Sequence, residues 1–188
     1  QLLSGDSMAE DVTRGAVPIQ PDVSYRPWAS GEFYAGFGFA VGNGLNPVSP
    51  FHNAPWAADL EDDVKDINGR GRNHLLAAYY RHSFQFSSEH TLSLSGGILG
   101  SADFLDSNEY ANDEYSQFMN EIFVNSGSYG LQSYDYGMAL GWARENWSAN
   151  LLVMRVGEND DGNSFTFTGF QVGTHLDTEW GSGNVRAI

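Results

Sequence analysis

The sequence predicts an all-β protein made of antiparallel strands joined in up-and-down order. Apolar residues alternate with small or polar ones over stretches of about ten residues, the period-two pattern of a strand with one apolar face. The 188 residues include 22 glycines and 14% aromatic residues, while only 18% are charged. This balance is typical of β-rich chains. Short turn-like segments and longer polar segments separate the apolar stretches in alternation.

Residues 1–16 are mostly polar and are predicted to form a loop, and residues 17–188 to form strands, turns and longer connections. The first strand is weakened by three prolines, which cannot donate to a ladder. The cleanest single strand pattern is that of residues 33–42, and residues 133–176 follow the order strand, tight turn, strand, acidic loop, strand. The predicted strands cover residues 17–28, 33–42, 75–86, 91–99, 133–143, 147–156 and 165–176, and another begins at 184.

Four short turns alternate with longer connections in this scheme. The short turns are predicted near residues 29–32, 87–90, 144–146 and 178–183, and the longer connections at 43–73, 101–132 and 157–163. Two of the longer connections contain amphipathic helical patterns, at residues 54–67 and 113–124, each preceded by an asparagine suited to an N-cap.

Short turns on one side and long loops on the other are the layout of a transmembrane up-and-down β-barrel. Four of the five tryptophans stand beside the short turns, as in the aromatic girdle of such barrels. The second face of the strands is rich in glycine, alanine and serine, which would leave a closed eight-stranded barrel hollow. We therefore expect about eight strands of a larger barrel, in one domain over 1–188, with the chain a fragment.

Composition excludes several classes of function. The net charge of −15 disfavours nucleic acid and anionic membrane surfaces, which both attract basic proteins. The chain has no cysteine, so disulfides and cysteine-based metal or redox chemistry are excluded. It lacks the run of about 18 apolar residues that a membrane-spanning helix needs, although barrel strands need only about 9–11 alternating residues.

The inward parity of the strands selects candidate residues for contact with a solute. Arginine and amide groups can hydrogen-bond hydroxyls, and aromatic faces suit the apolar faces of sugar rings. For Arg81, an ion pair within the wall, with an acid such as Asp135, is the alternative. The candidates on this parity are Tyr34, Tyr79, Arg81, Asp135, Gln171, His175 and Arg186.

The helix predicted at residues 54–67 offers constriction candidates, namely Trp56, Asp59, Glu61 and Asp62. The alternatives are a solvated acidic face and a packing anchor. The acidic segment 158–163 resembles a calcium loop in composition, but it lacks the EF-hand spacing, and a turn explains it more simply. No metal site, cofactor or catalytic constellation is predicted.

Several stretches resemble the carbohydrate-selective porin (OprB-type) family. They are FGFAVGNGLN, APWAADLEDDVKDINGR, LAAYYRHSF, DSNEYANDEYSQFMNE, LQSYDYGMALGW, VGENDDGNSFTFTGFQVG and GSGNVR, and together they cover most of residues 33–186. The resemblance implies the middle portion of a sixteen-stranded, often trimeric porin of the bacterial outer membrane, passing sugars through a loop-constricted pore. Its partners would be sugars, outer-membrane lipid and lipopolysaccharide. The competing hypothesis is a soluble β-rich sugar-binding or adhesion module.

Overall fold

A computed structural model describes residues 2–3, 12–13, 15, 17–41, 74–106, 108, 130–157 and 164–188. Over these residues the fold is all-β, as predicted, with one helical turn. The strands are β1 Leu2–Leu3, β2 Val12–Thr13, β3 Val17–Ile19, β4 Asp22–Trp28, β5 Gly31–Phe37, β6 Phe39–Val41, β7 Leu75–Ser87, β8 His90–Leu99, β9 Asp135–Arg144, β10 Trp147–Val156, β11 Phe165–Thr178 and β12 Gly181–Ala187, and the helical turn α1 is Ala102–Leu105.

Eight of these strands form one antiparallel sheet in the order β12-β11-β10-β9-β8-β7-β5-β4. Each strand of this sheet lies beside the member that follows it in the chain, with β6 outside the sheet, and this is the predicted up-and-down order. Two-residue turns at 29–30, 88–89, 145–146 and 179–180 join the hairpins, so the four predicted short turns are confirmed. Strands β4 and β12 are the two edges, and the sheet is not closed within the described residues.

The N-terminal region differs from its prediction in three places. Residues 1–16 are not all loop, because β1 pairs with β2 through two short apolar or β-branched segments. The strand predicted at 17–28 divides at Pro21, which has no N–H to donate, and the strand predicted at 33–42 divides at Gly38. The outer pieces, β3 and β6, then pair with each other in a separate two-stranded sheet.

The two faces of the sheet differ sharply in chemistry. The outer face, as we call it, carries large apolar side chains that are exposed, among them Phe33, Met138, Leu140, Val153 and Phe170. The opposite, inner face carries mostly small and polar residues, together with one buried apolar cluster. The period-two pattern of the sequence predicts this division correctly.

The inner face is partly covered by α1, at the start of the second long connection. Leu105 of α1 is fully buried and packs with Leu99, Leu152 and Met154 of the sheet. A Cβ added at Gly169 would lie 2.2 Å from Leu105 Cδ1, so the glycine provides the space that Leu105 fills. The small-residue wall therefore receives an inward-folded segment.

The sequence does not predict α1, since its single turn is too short for a periodic pattern and Ser101 makes no side-chain cap. The helices predicted at 54–67 and 113–124 lie outside the described residues. No helix in the described part of the chain is long and apolar enough to cross a membrane.

Gly97 is the position where the sheet depends most directly on glycine. Its φ is +144°, and an added Cβ would lie 2.2 Å from the backbone oxygen of Ala78. We expect Gly97→Ala to lower the free energy of unfolding by about 1–3 kcal/mol from backbone strain, with the clash adding to the loss. Thermal unfolding followed by circular dichroism measures it.

Gly183→Ala is the matched control, because nothing lies within 4 Å of its added Cβ. Its effect should stay within about 0.5 kcal/mol. Equal unfolding temperatures for the two variants would contradict the close strand approach at Gly97.

Candidate functional site

A group of one polar and three charged residues, which we call the Glu32 cluster, lies on the inner face near one edge of the sheet. It consists of Ser24, Arg26, Glu32 and Arg81. Glu32 Oε1 accepts hydrogen bonds from Ser24 Oγ at 2.6 Å and from Arg26 Nη2 at 2.9 Å. Arg81 Nη1 lies 3.7 Å from Glu32 Oε2. Two guanidinium groups thus meet one carboxylate.

Strand pairing brings these side chains together. Glu32 of β5 stands directly opposite Arg81 of β7, and Ser24 of β4 reaches the same carboxylate from the neighbouring strand. Arg26 is 69% exposed and Glu32 14%, and an ion pair with so exposed a partner stabilises a fold by only about 0.2–1 kcal/mol. The cluster therefore contributes little to the stability of the fold, and its main consequence is that it places charged groups on the inner face.

Aromatic rings surround the Arg81 guanidinium. Its Cζ lies 5.3 Å from the ring centre of Tyr79 and 5.6 Å from that of Phe104, which α1 contributes. Both distances are within the range of cation–π contacts. Tyr79 in turn stacks on Tyr34, with ring centres 4.9 Å apart, and Arg81 Nε donates to Ser95 Oγ at 3.2 Å. These contacts hold the guanidinium in one orientation above the wall.

A cavity of about 500 Å³ opens beside this cluster. The cavity is lined by the six strands β4, β5, β7, β8, β9 and β10, and α1 contributes Asp103 and Phe104. Its volume lies within the roughly 300–1,000 Å³ typical of small-molecule sites. The walls combine the charges of the Glu32 cluster with serine, threonine and asparagine side chains. Such a lining offers hydrogen bonds to a polar molecule and no strongly apolar pocket.

All seven residues predicted to face inward do share the inner face, but they do not form one group. Tyr34, Tyr79 and Arg81 stand together at the Glu32 cluster. Asp135 and Gln171 are buried, at 0% and 1% exposure, and neither lines the cavity. The other two lie towards the opposite edge, where His175 contacts Asn184 and Asp177, and Arg186 is exposed on β12.

The ion pair within the wall, which the sequence offers as the alternative role for Arg81, is present, but its acid is Glu32 and not Asp135. Register explains why, because Arg81 pairs with Ser95 on β8 whereas Asp135 pairs with Leu99, four residues further along the same strand. The acid that meets Arg81 is Glu32. Glu32 has the same inward parity as Tyr34, and this parity could identify it as a member of the site. The sequence, however, predicts a turn at residues 29–32.

Sequence pattern also fails to identify Arg26 and Phe104 as residues of the site. Arg26 lies in a proline-rich strand whose alternation is obscured, and its pairing shows a register shift between Tyr25 and Trp28. Phe104 belongs to α1, which has no sequence signature of its own. Local pattern therefore identifies Arg81 and Tyr79, but it does not identify the other residues of the Glu32 cluster or Phe104.

Asp135 connects the start of β9 to the end of β10, at the end of the sheet where the long connections begin. Its Oδ1 accepts from the Tyr136 N–H at 2.8 Å, and its Oδ2 accepts from the Gly157 N–H at 2.6 Å. Asp135→Asn puts an amide nitrogen where one of these donors points. We expect a loss of about 1–3 kcal/mol in unfolding free energy, measured by chemical denaturation.

Asp22→Asn is the control for this change, because Asp22 is an exposed acid on the edge strand β4. It removes the same charge without a buried contact and should be nearly neutral. A loss in Asp22→Asn as large as in Asp135→Asn would contradict the anchoring role.

The constriction candidates Trp56, Asp59, Glu61 and Asp62 and the acidic segment 158–163 lie outside the described residues. Among the residues that are described, no group of three or more histidine, aspartate or glutamate side chains is arranged to hold a metal ion.

Comparison with known proteins gives one informative match. A protein of Aquifex aeolicus (strain VF5), described as an uncharacterized protein, is 40% identical to this chain over 104 residues. The match covers 54% of this chain and 32% of the relative, so the aligned stretch is about a third of the relative's own length. No protein-family model matches this chain, and no solved structure matches it.

Proposed function

We propose that this chain is a section of an outer-membrane β-barrel porin, through which small hydrophilic solutes, sugars foremost, diffuse passively along the inner face. The observation that carries the proposal is the contrast between the two faces. Large apolar side chains such as Met138 and Phe170 are more than half exposed across the outer face. An apolar surface of this extent needs a partner, and the hydrocarbon of a membrane supplies one to a sheet whose other face is polar.

Strand length supports a membrane partner. Strands β8, β9 and β10 each have 10 residues. At a rise of about 3.4 Å per residue and a tilt of about 40°, they span roughly 26 Å, close to the apolar band of outer-membrane barrels.

The tryptophans support the same orientation. Trp28, Trp147 and Trp180 are exposed beside the two-residue turns, all at one end of the sheet. Amphipathic rings at a single level suit the interface between lipid and water. In this arrangement the short turns face the periplasm and the long connections face outward.

The inner face supports passage of a polar solute. The inward-folded α1 places Phe104 against Arg81 and Tyr79 and so narrows the space above the wall. Arg81 offers a fork of donors to hydroxyl groups, and selectivity follows from pore width and lining groups. No reaction and no cofactor is required.

The open sheet edges and the relative's length fit a larger barrel. Strands β4 and β12 need partners if the sheet closes, and the Aquifex relative is about three times as long as the aligned stretch. Closure by further strands, assembly as a trimer, and contact of the outer face with lipid and lipopolysaccharide belong to this proposal.

The test is single-channel conductance of the full-length protein in a planar lipid bilayer, with neutral sugars titrated in. We expect stable open channels that sugars block in a concentration-dependent manner. Channels indifferent to sugar would remove the sugar preference. A water-soluble monomer that leaves the cell envelope without detergent and forms no channels would favour the soluble sugar-binding or adhesion module instead.

A further inference from the structure

The inner face is divided into two halves along the strand direction. Towards the long connections it carries the buried apolar cluster of Leu99, Met154 and Val156 near Leu105, with the buried Asp135 at the strand ends. Towards the short turns it is polar and open to the cavity. The Glu32 cluster lies at the boundary. We call the polar half the hydroxyl shelf, made of Ser83, Thr91, Ser93, Ser148 and Asn150.

Strand register builds the hydroxyl shelf as two adjacent rows. One row runs from Ser83 to Ser93, Gly141 and Asn150 across β7 to β10, and the next contains Thr91 and Ser148. All five shelf residues line the cavity and are half-buried. The five residues lie on the three strands β7, β8 and β10, and β9 passes between them with Gly141. The shelf is therefore a property of the sheet and not of any loop.

We propose that the hydroxyl shelf is a second solute subsite, specific for neutral polyols such as monosaccharides, on the short-turn side of Arg81. The inference rests on the proposed porin function and adds a binding step to it. A solute released from the Arg81 guanidinium would meet the shelf next on its way to the short-turn end.

The chemistry of the shelf favours neutral polyols over ions. Serine, threonine and asparagine side chains each both donate and accept hydrogen bonds, as sugar hydroxyls do. The Ser83 and Ser93 hydroxyls already bond each other at 3.1 Å, so an arriving hydroxyl can exchange into an existing pair. The five shelf side chains carry no charge, and hence provide no counter-charge for an ion.

Gly141 keeps the shelf open between its two ends. An added Cβ at this position would lie 3.2 Å from Asn150 Oδ1 and 3.8 Å from Ser93 Cβ. The missing side chain lets the Asn150 amide lie over β9 and face the cavity. The glycine therefore joins the serine pair and the amide into one surface.

Ser93→Cys in the full-length protein tests the shelf directly, because the 188 residues themselves contain no cysteine, and the unsubstituted full-length protein gives the background rate of modification. A charged, water-soluble thiol reagent is added with and without glucose, and the rate of modification is measured. We expect modification at the Ser93→Cys position and a several-fold slower rate in glucose. An unchanged rate in glucose, with sugar block of the channel intact, would overturn the shelf while leaving the porin.

Thr168→Cys is the matched control, since Thr168 is exposed on the outer face, paired with Val153. In a membrane this thiol should resist the charged reagent, with or without sugar. Rapid modification of Thr168→Cys would contradict the lipid-facing assignment, and so the porin itself. The two failures are therefore distinguishable.

A second variant keeps the inference testable without labelling. Ser83→Ala together with Ser93→Ala removes the paired hydroxyls and introduces no bulk. We expect glucose to leave the blocked channel roughly five- to tenfold faster, as the loss of a hydrogen bond implies, with ion selectivity unchanged. An unaltered dissociation rate would overturn the shelf.

Discussion

Replacing Leu105 by alanine is expected to lower the free energy of unfolding by about 2–5 kcal/mol, the range for removing a buried leucine from a packed site. Leu105 is fully buried, and it fills the space that Gly169 leaves in the wall. The strands on either side of that space limit how far neighbouring atoms can move into the volume that the shortened side chain leaves empty. Chemical denaturation in detergent measures the loss.

The same substitution has a functional consequence under the porin proposal. Leu105 holds α1 on the inner face, and α1 carries the Phe104 ring that stands by Arg81. With an alanine in place of Leu105, α1 should dissociate from the inner face for part of the time. We expect a higher and noisier single-channel conductance from Leu105→Ala.

Leu176→Ala provides the control, because Leu176 lies on β11 with 46% exposure. It removes the same atoms without leaving a buried cavity and should cost less than about 1 kcal/mol. Equal losses for the two leucine variants would show that α1 is not anchored by Leu105.

The second large effect is expected from charge changes in the Glu32 cluster. Glu32→Gln leaves Arg26 and Arg81 without their shared carboxylate and, under the porin proposal, should shift channel selectivity towards anions. Arg81→Gln should shift it towards cations and weaken block by sugars. An ion about 5 Å from one unit charge in water has an interaction energy of roughly 0.8 kcal/mol, so the permeability ratio should change several-fold. Reversal potentials in a salt gradient measure both shifts.

Two further variants test whether the effect belongs to the cluster. Glu32→Gln combined with Arg81→Gln restores the net charge and should return the selectivity close to that of the unmodified protein. Arg155→Gln removes a positive charge from an exposed position outside the cavity and should change selectivity little. A shift in Arg155→Gln as large as in Arg81→Gln would contradict the inner-face pore.

Sequence pattern predicts most of the sheet, because the information needed is local. Alternation gives the face of each residue, and short polar segments mark the turns. Even the inward parity of His175 and Arg186, near the far edge, follows from counting along one strand. The prediction was wrong where backbone chemistry interrupts the pattern, as at Pro21 and Gly38.

Local sequence pattern is enough to predict the all-β antiparallel class, the four tight hairpins, the division into an apolar and a small or polar face, and the inward side of Arg81. Each follows from the period-two geometry of one strand. Three features emerge only in the folded sheet: Glu32 contacts Arg81, Asp135 is buried at strand ends, and Leu105 packs over Gly169. These depend on register and on a fold-back between residues distant in sequence, which no local pattern encodes.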